Sequence, residues 1–306
     1  MSVFFALIFV PLNYNIKKMK NTIYLFIGFV FILSCSDEAY DSNTDNSNDT
    51  TSDFSPSGGN DYWINDVVRS SSDVPEMNFT ATDSIYISSV DENYFTLNAN
   101  NNGVANGSMN ILLTNGTISK TPTTLVFDGT IDVPQNLLDL GFTQDLSIEN
   151  MTLLNLEASN NEEMFVEQSN FSEIIDIMGT NVPVEISGRI STKKINFYAN
   201  KTINDTNYND VFEAEFALNI SVNGTFSVEG FTQTIPILEA QDVMKMNYYY
   251  AKNIGLIRAE TVQTINLSPQ LTGLLEFLDI PLDFPANVSI ESIEELLNLQ
   301  SFEVFS

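Results

Sequence analysis

From about residue 61 onward, apolar and polar positions alternate with period two in short runs, the spacing of strands that bury one face and wet the other. The clearest run sets Phe212, Ala214, Phe216, Leu218, Ile220 and Val222 against Glu213, Glu215, Ala217, Asn219 and Ser221. Asn223-Gly224 follows with hairpin-turn chemistry, and Phe226 and Val228 read as the return strand. Further strands are predicted at about 84–90, 94–98, 108–115, 125–133, 182–190, 194–199 and 243–251, with hairpin signals at Asn106-Gly107, Asn115-Gly116 and Asp128-Gly129. Two stretches read as helices. In 268–278, Ser268 caps, Pro269 takes the first turn, and Leu271, Leu274, Leu275 and Leu278 share a stripe. The other is 135–140, stopped by Gly141. The stretch 289–299 is ambiguous, because Ile290, Ile293 and Leu297 keep helical spacing in strand-like surroundings. The expected fold is mainly β: an antiparallel curved sheet, half-barrel or sandwich, with two or three short helices, in a single domain over 61–306.

The N-terminal region follows a different pattern. Residues 23–33 are an apolar run of signal-peptide length, too short to span a bilayer as a helix, and Lys17, Lys18 and Lys20 precede it. Ile32-Leu33-Ser34-Cys35 ends the run with a small residue directly before the chain's one cysteine. That is how a lipobox reads: a thiol to carry diacylglycerol, and a small neighbour that lets the peptidase reach the bond. Residues 1–34 are therefore expected to be a lipoprotein signal peptide, with a covalent N-terminal lipid, including palmitate, on Cys35. A second apolar run at 3–12 is broken by Pro11, and Met19-Lys20 would by itself make a conventional leader start, so Met19 is the expected initiator; the alternative is a longer leader that includes residues 1–18. Residues 35–60 combine the acylated cysteine with an acidic Ser/Asn/Asp linker that has too little apolar surface to fold. Asp41-x-Asn43-x-Asp45 begins like a calcium loop, but Asn46 stands at the turn-glycine position and Ser52 where the bidentate Glu belongs, so no metal is expected there.

Charge narrows the partners. The chain has 12 Lys+Arg and 40 Asp+Glu; three of the lysines lie in the leader, leaving 9 − 40 = −31 on the mature chain. Such a surface repels phosphate backbones, which excludes nucleic acid, and it disfavours docking on anionic lipid, which leaves the acyl anchor as the means of membrane attachment. There is no histidine, so imidazole-based triads and His-ligated zinc are excluded, and no nucleotide-binding or nucleophile-elbow motif occurs. No catalytic residue, cofactor or metal site is expected, and the ligand-binding residues are unknown. With 40 acids, chance carboxylate pairs are inevitable, and no glycosidase pair can be picked out. Trp63, Tyr62 and Tyr248–Tyr250 could stack on sugar rings, although covering the sheet is the simpler role. Met244, Met246, Phe216 and Leu218 could line a lipid-accepting concavity, although core packing is the simpler role for them. Asp49-Thr50-Thr51 and Asp83-Ser84-Ile85 fit a short O-glycosylation pattern.

Two segments carry a resemblance. Cys35-Ser36-Asp37-Glu38, a candidate acylated cysteine followed by Ser and acids, resembles the export signal that sends Bacteroidota lipoproteins to the outer face of the outer membrane. Tyr248-Tyr249-Tyr250-Ala251-Lys252-Asn253-Ile254-Gly255-Leu256-Ile257-Arg258-Ala259-Glu260 is similar to a hairpin near the end of many uncharacterised Bacteroidota lipoproteins, where it pairs two strands of a curved antiparallel sheet. The resemblance implies an outer-membrane lipoprotein on the cell surface or facing the periplasm. The expected role is a non-enzymatic binding module for an apolar or glycan ligand. The alternatives are a structural or accessory subunit with an envelope protein partner and, behind these, a carboxylate-based hydrolase.

Overall fold

A computed structural model of the chain describes residues 54–55, 62–91, 94–132, 146–177, 180–228, 231–277 and 285–297. Cys35, Ser36, Asp37 and Glu38, the calcium-like stretch and the expected helix at 135–140 lie outside the described residues.

Twelve strands form one antiparallel sheet: β1 Tyr62–Ser70, β2 Phe79–Val90, β3 Tyr94–Ala99, β4 Gly116–Lys120, β5 Thr124–Ile131, β6 Leu146–Asn155, β7 Glu163–Ile177, β8 Thr180–Ile203, β9 Thr206–Val228, β10 Phe231–Ala251, β11 Gly255–Asn266 and β12 Asn287–Leu296. Among the described residues two α-helices interrupt the meander, α1 Ser108–Thr114 and α2 Pro269–Phe277, besides a short 3-10 turn at Pro75–Met77. The expected mainly β, curved antiparallel fold is the one observed. The strand order is β6-β5-β4-β3-β2-β1-β12-β11-β10-β9-β8-β7. Consecutive strands therefore pair as hairpins, and β1 pairs with β12 to close the ring. The ring lacks one ladder, between β6 and β7, which are consecutive in sequence.

At that gap the β6 edge is held by side chains instead of by a strand. Thr192 Oγ1 on β8 donates to the carbonyl of Thr152 at 2.5 Å, and Tyr248 OH on β10 donates to that of Leu153 at 2.7 Å. Lys194 Nζ, also buried, donates to the carbonyls of Leu156 and Ala158 at 3.2 and 2.6 Å. Thr192 and Tyr248 belong to the buried, inward face of their strands, so β6 packs against the inside of the sheet at β8 and β10 and forms no ladder with β7. These donors satisfy carbonyls that an open edge would leave unpaired.

The interior is apolar and the outside polar. Phe212, Ala214, Phe216, Leu218, Ile220 and Val222 are all buried, as their alternation predicts. On the outer face, Glu215 takes Lys193 and Lys245 at 3.0 Å each, a cross-strand triad over β8, β9 and β10. Among the described residues no helix is long and apolar enough to cross a membrane.

Several local expectations fail for identifiable reasons. The predicted strand at 108–115 is α1: Met109, Leu112 and Leu113 sit at helical spacing and all are buried. Asn106-Gly107 is not a hairpin, since Gly107 is the N-cap of α1. Asn223-Gly224 lies inside β9, where a Cβ on Gly224 would come 2.9 Å from Ile237 Cδ1 and Phe226 Cε2; the glycine there makes room for packing. Asn115-Gly116 and Asp128-Gly129 are likewise not turns, because Gly116 and Gly129 face each other across β4 and β5 beneath the Phe127 ring. The strands expected at 182–190 and 194–199 are one continuous β8. The ambiguous 289–299 is resolved as β12 over Asn287–Leu296, with Ile293 on its outer face at 38% exposure. Phe226 and Val228 continue β9 and are not a return strand, while two other local expectations hold. Ser268 Oγ caps α2 by accepting the Leu271 amide at 3.0 Å. The Tyr248–Tyr250 strand turns through Lys252–Ile254 and returns at Gly255, whose φ of 101° suits glycine.

Candidate functional site

Apart from the donors that hold β6, polar residues gather on the inner lining of the ring around β1, β2, β11 and β12. On β1 the inward positions are Trp63, Asn65, Val67 and Arg69, and on β12 they are Val288, Ile290, Ser292, Glu294 and Leu296. Register brings these polar side chains together. Asn65 pairs with Asp83 of β2, Arg69 with Ser292, and Ser292 with Thr261 of β11, while Glu294 lies opposite Val67. Asn65, Asp83 and Glu294 are fully buried, and Thr261 and Ser292 nearly so.

Helix α1 closes the cluster from inside the ring. Glu294 Oε1 accepts the backbone amides of Ser108 and of Met109, the latter at 3.2 Å. The next residue, Asn110, is also fully buried. The segment leading into α1 is fixed by the second acid. Asp83 accepts Asn100 Nδ2 at 2.8 Å, the Asn106 amide at 2.8 Å and Asn106 Nδ2 at 2.6 Å. Asn100 holds a left-handed φ of 47°, which an asparagine tolerates better than most side chains.

The two carboxylates thus live in different environments. Burial pushes the Glu294 carboxyl well above the usual range, with Asp83 adding to the rise, while the Ser108 and Met109 amides and Arg69 oppose it. Burial thus biases Glu294 towards its neutral form, in which the carboxyl can donate as well as accept. Burial also lowers the Arg69 guanidinium, opposed by Glu294, and the guanidinium lies 5.2 Å from the Phe79 ring centroid.

What sets this cluster apart is its unmatched hydrogen-bonding capacity. Among the described residues, Glu294 Oε2, both amide atoms of Asn65 and Asn110, Arg69 Nε, Trp63 Nε1 and the hydroxyls of Ser108, Thr261 and Ser292 are buried with no hydrogen-bond partner in the protein. Leaving one such group unpaired costs about 1–3 kcal/mol, so a concentration of them in one spot departs from ordinary core construction. Donors and acceptors are mixed, and the indole of Trp63 supplies an apolar face beside them. No group of three or more Asp, Glu, His or Cys side chains able to hold a metal occurs among the described residues.

The residues considered for stacking or lipid contact occupy other roles. Trp63, Tyr248, Tyr249 and Tyr250 are buried, so they form no open aromatic platform; Trp63 instead flanks the polar cluster. Met244, Met246, Phe216 and Leu218 are buried in the core. In Asp83-Ser84-Ile85 both flanking residues are fully buried. The sequence does carry a signal for the site: Asn65 and Arg69 fall on the period-two apolar stripe of Trp63 and Val67, and Ser292 and Glu294 fall on that of Val288, Ile290 and Leu296. Polar residues on an apolar stripe mark a buried site. In comparisons with known proteins, no family model, no curated protein and no solved structure matches the chain.

Proposed function

We propose that the chain is a membrane-anchored lipoprotein of the cell envelope and a non-enzymatic binding module, whose ring interior takes a small uncharged polar ligand of glycan chemistry. The observation that carries this reading is the buried cluster of unpaired donors and acceptors around Asn65, Asn110 and Glu294. A polyol offers hydroxyls that both donate and accept, so it can match carboxamides, hydroxyls and a protonated carboxyl at once. Its apolar ring face suits the Trp63 indole. An apolar ligand would leave the same groups unsatisfied, which favours the glycan over the lipid alternative.

The anchor rests on the sequence around Cys35 and is supported by the polarity of the sheet. A barrel that spans a membrane turns apolar residues outward, whereas here the outer face carries Glu215, Lys193, Lys245, Arg258 and Glu260. A water-facing ring tied down by acyl chains on Cys35, with Ser36, Asp37 and Glu38 directing it to the cell surface, is consistent with that pattern.

The test is native mass spectrometry of the protein isolated from its own membrane. The expected result is protein plus acyl chains plus one monosaccharide-sized adduct that is lost in the Asn65→Leu/Asn110→Leu variant. Protein and acyl chains alone, with no binding from a panel of neutral mono- and disaccharides, would overturn the ligand reading. The anchor is tested separately: Cys35→Ser should leave the membrane fraction, and continued sedimentation with the membrane would refute it.

A further inference from the structure

With no ladder between β6 and β7, β7 is an end strand of the sheet among the described residues. It is 15 residues long, and its ladder to β8 runs without a register shift from Phe165 to Ile177. Val166, Phe171 and Ile174 on it are 43%, 36% and 70% exposed. Natural edge strands are usually blunted by lysine, proline, bulges or shortness. This one contains no Lys, Arg or Pro and, past Phe165, no bulge. An edge so long and regular is built to accept another strand.

We propose that β7 pairs antiparallel with β7 of a second copy about a twofold axis, joining two rings through one continuous sheet. Symmetry limits the registers. For each face of the sheet to continue into its counterpart, the axis must pass through a residue, and the three longest registers centre on Ser169, Asn170 and Phe171. Centring on Asn170 sets Glu167 against Glu173 of the other copy twice over, a destabilising opposition of like charges. Centring on Ser169 or Phe171 sets no acid against an acid. The first places the exposed Ile174 opposite Met164; the second places the two Phe171 rings across the axis. A second copy therefore fits this acidic edge without facing acids, although both rings carry the same overall negative charge. Association between like-charged chains strengthens as salt screens them, whereas capture of a basic strand weakens.

The test uses the full-length Cys35→Ser chain, which has no other thiol. Sedimentation should show a dimer whose fraction rises with ionic strength. Single-cysteine variants Ser169→Cys and Phe171→Cys report the axis, since a residue on it sits within disulfide reach of its own mate and one two residues away does not. One of the two should form a covalent dimer under mild oxidation. Met164→Cys, about 30 Å or more from its mate in either register, should not. A monomer at every salt concentration with neither cysteine crosslinking, or equally fast crosslinking by Met164→Cys, would overturn the proposal. So would a monomer that binds a Lys-rich strand peptide in low salt, which would assign the edge to a basic partner.

Discussion

Glu294 Oε1 accepts the amide of Met109 at 3.2 Å, so a carboxyl on β12 holds the first turn of α1 inside the ring. The bond does not require Glu294 to be charged, and burial disfavours its charged form. Its folded pKa lies above the ordinary 4.5, so the stability associated with it is fully present below about pH 4.5 and is lost as pH rises, when the unfolded chain ionises and the folded chain does not. Glu294→Gln keeps the acceptor and removes the titration. The expected outcome is near-equal stability at pH 4 and a variant more stable than the parent at pH 8, read by urea denaturation at both values. A variant less stable at pH 8 than at pH 4, relative to the parent, would contradict this.

Glu215 is predicted to behave with the opposite sign. Burial alone would raise its pKa, but hydrogen bonds from Lys245 and Lys193 outweigh it and hold the carboxyl below its ordinary value. Its contribution is present above pH 4.5 and disappears as pH falls through the folded pKa. Because the triad is partly exposed, Glu215→Gln should cost no more than about 1 kcal/mol at pH 7. The difference from the parent should diminish as pH falls below 4.5 and shrink in high salt, both measurable by the same denaturation series.

Tyr248→Phe tests the side-chain stitching of β6. It leaves the carbonyl of Leu153 without its donor, at an expected cost of about 1–3 kcal/mol. Hydrogen exchange should accelerate most in β6, while β11 and β12 on the far side change less. Uniform acceleration across the sheet would show that the hydroxyl does not act locally.

Gly129→Ala tests the glycine pair beneath Phe127. The added methyl would lie 2.5 Å from Asn115 O and from Phe127 Cζ, and 2.7 Å from the Gly116 Cα. Two of these neighbours are backbone, so relief requires a shift of β4 or of the buried ring. Destabilisation of about 1–3 kcal/mol is expected, visible as a lowered melting temperature.

The sheet was legible in the sequence because its signal is local: Phe212 to Val222 alternate without interruption, and the burial follows them residue by residue. Turns were less legible, since Asn-Gly pairs serve several purposes. The β8–β9 turn uses Asn204-Asp205, with φ of 42° and 63°, while Gly224 and Gly129 serve packing inside strands. The polar cluster was readable only once the registers were known. Asn65, Asp83, Ser108 and Glu294 are scattered over more than two hundred positions, and what joins them is closure of the ring.

That closure also shapes how the chain can reach its native state. Of the eleven ladders, ten join strands consecutive in the chain and can form as soon as each hairpin exists; only β1 with β12 joins distant segments. A chain emerging N-terminus first would carry β1 with one bare edge until almost the last strand arrives. Pairing of β1 with β12 would then be the slow step, and until it forms the bare edge of β1 is exposed to pairing with another chain.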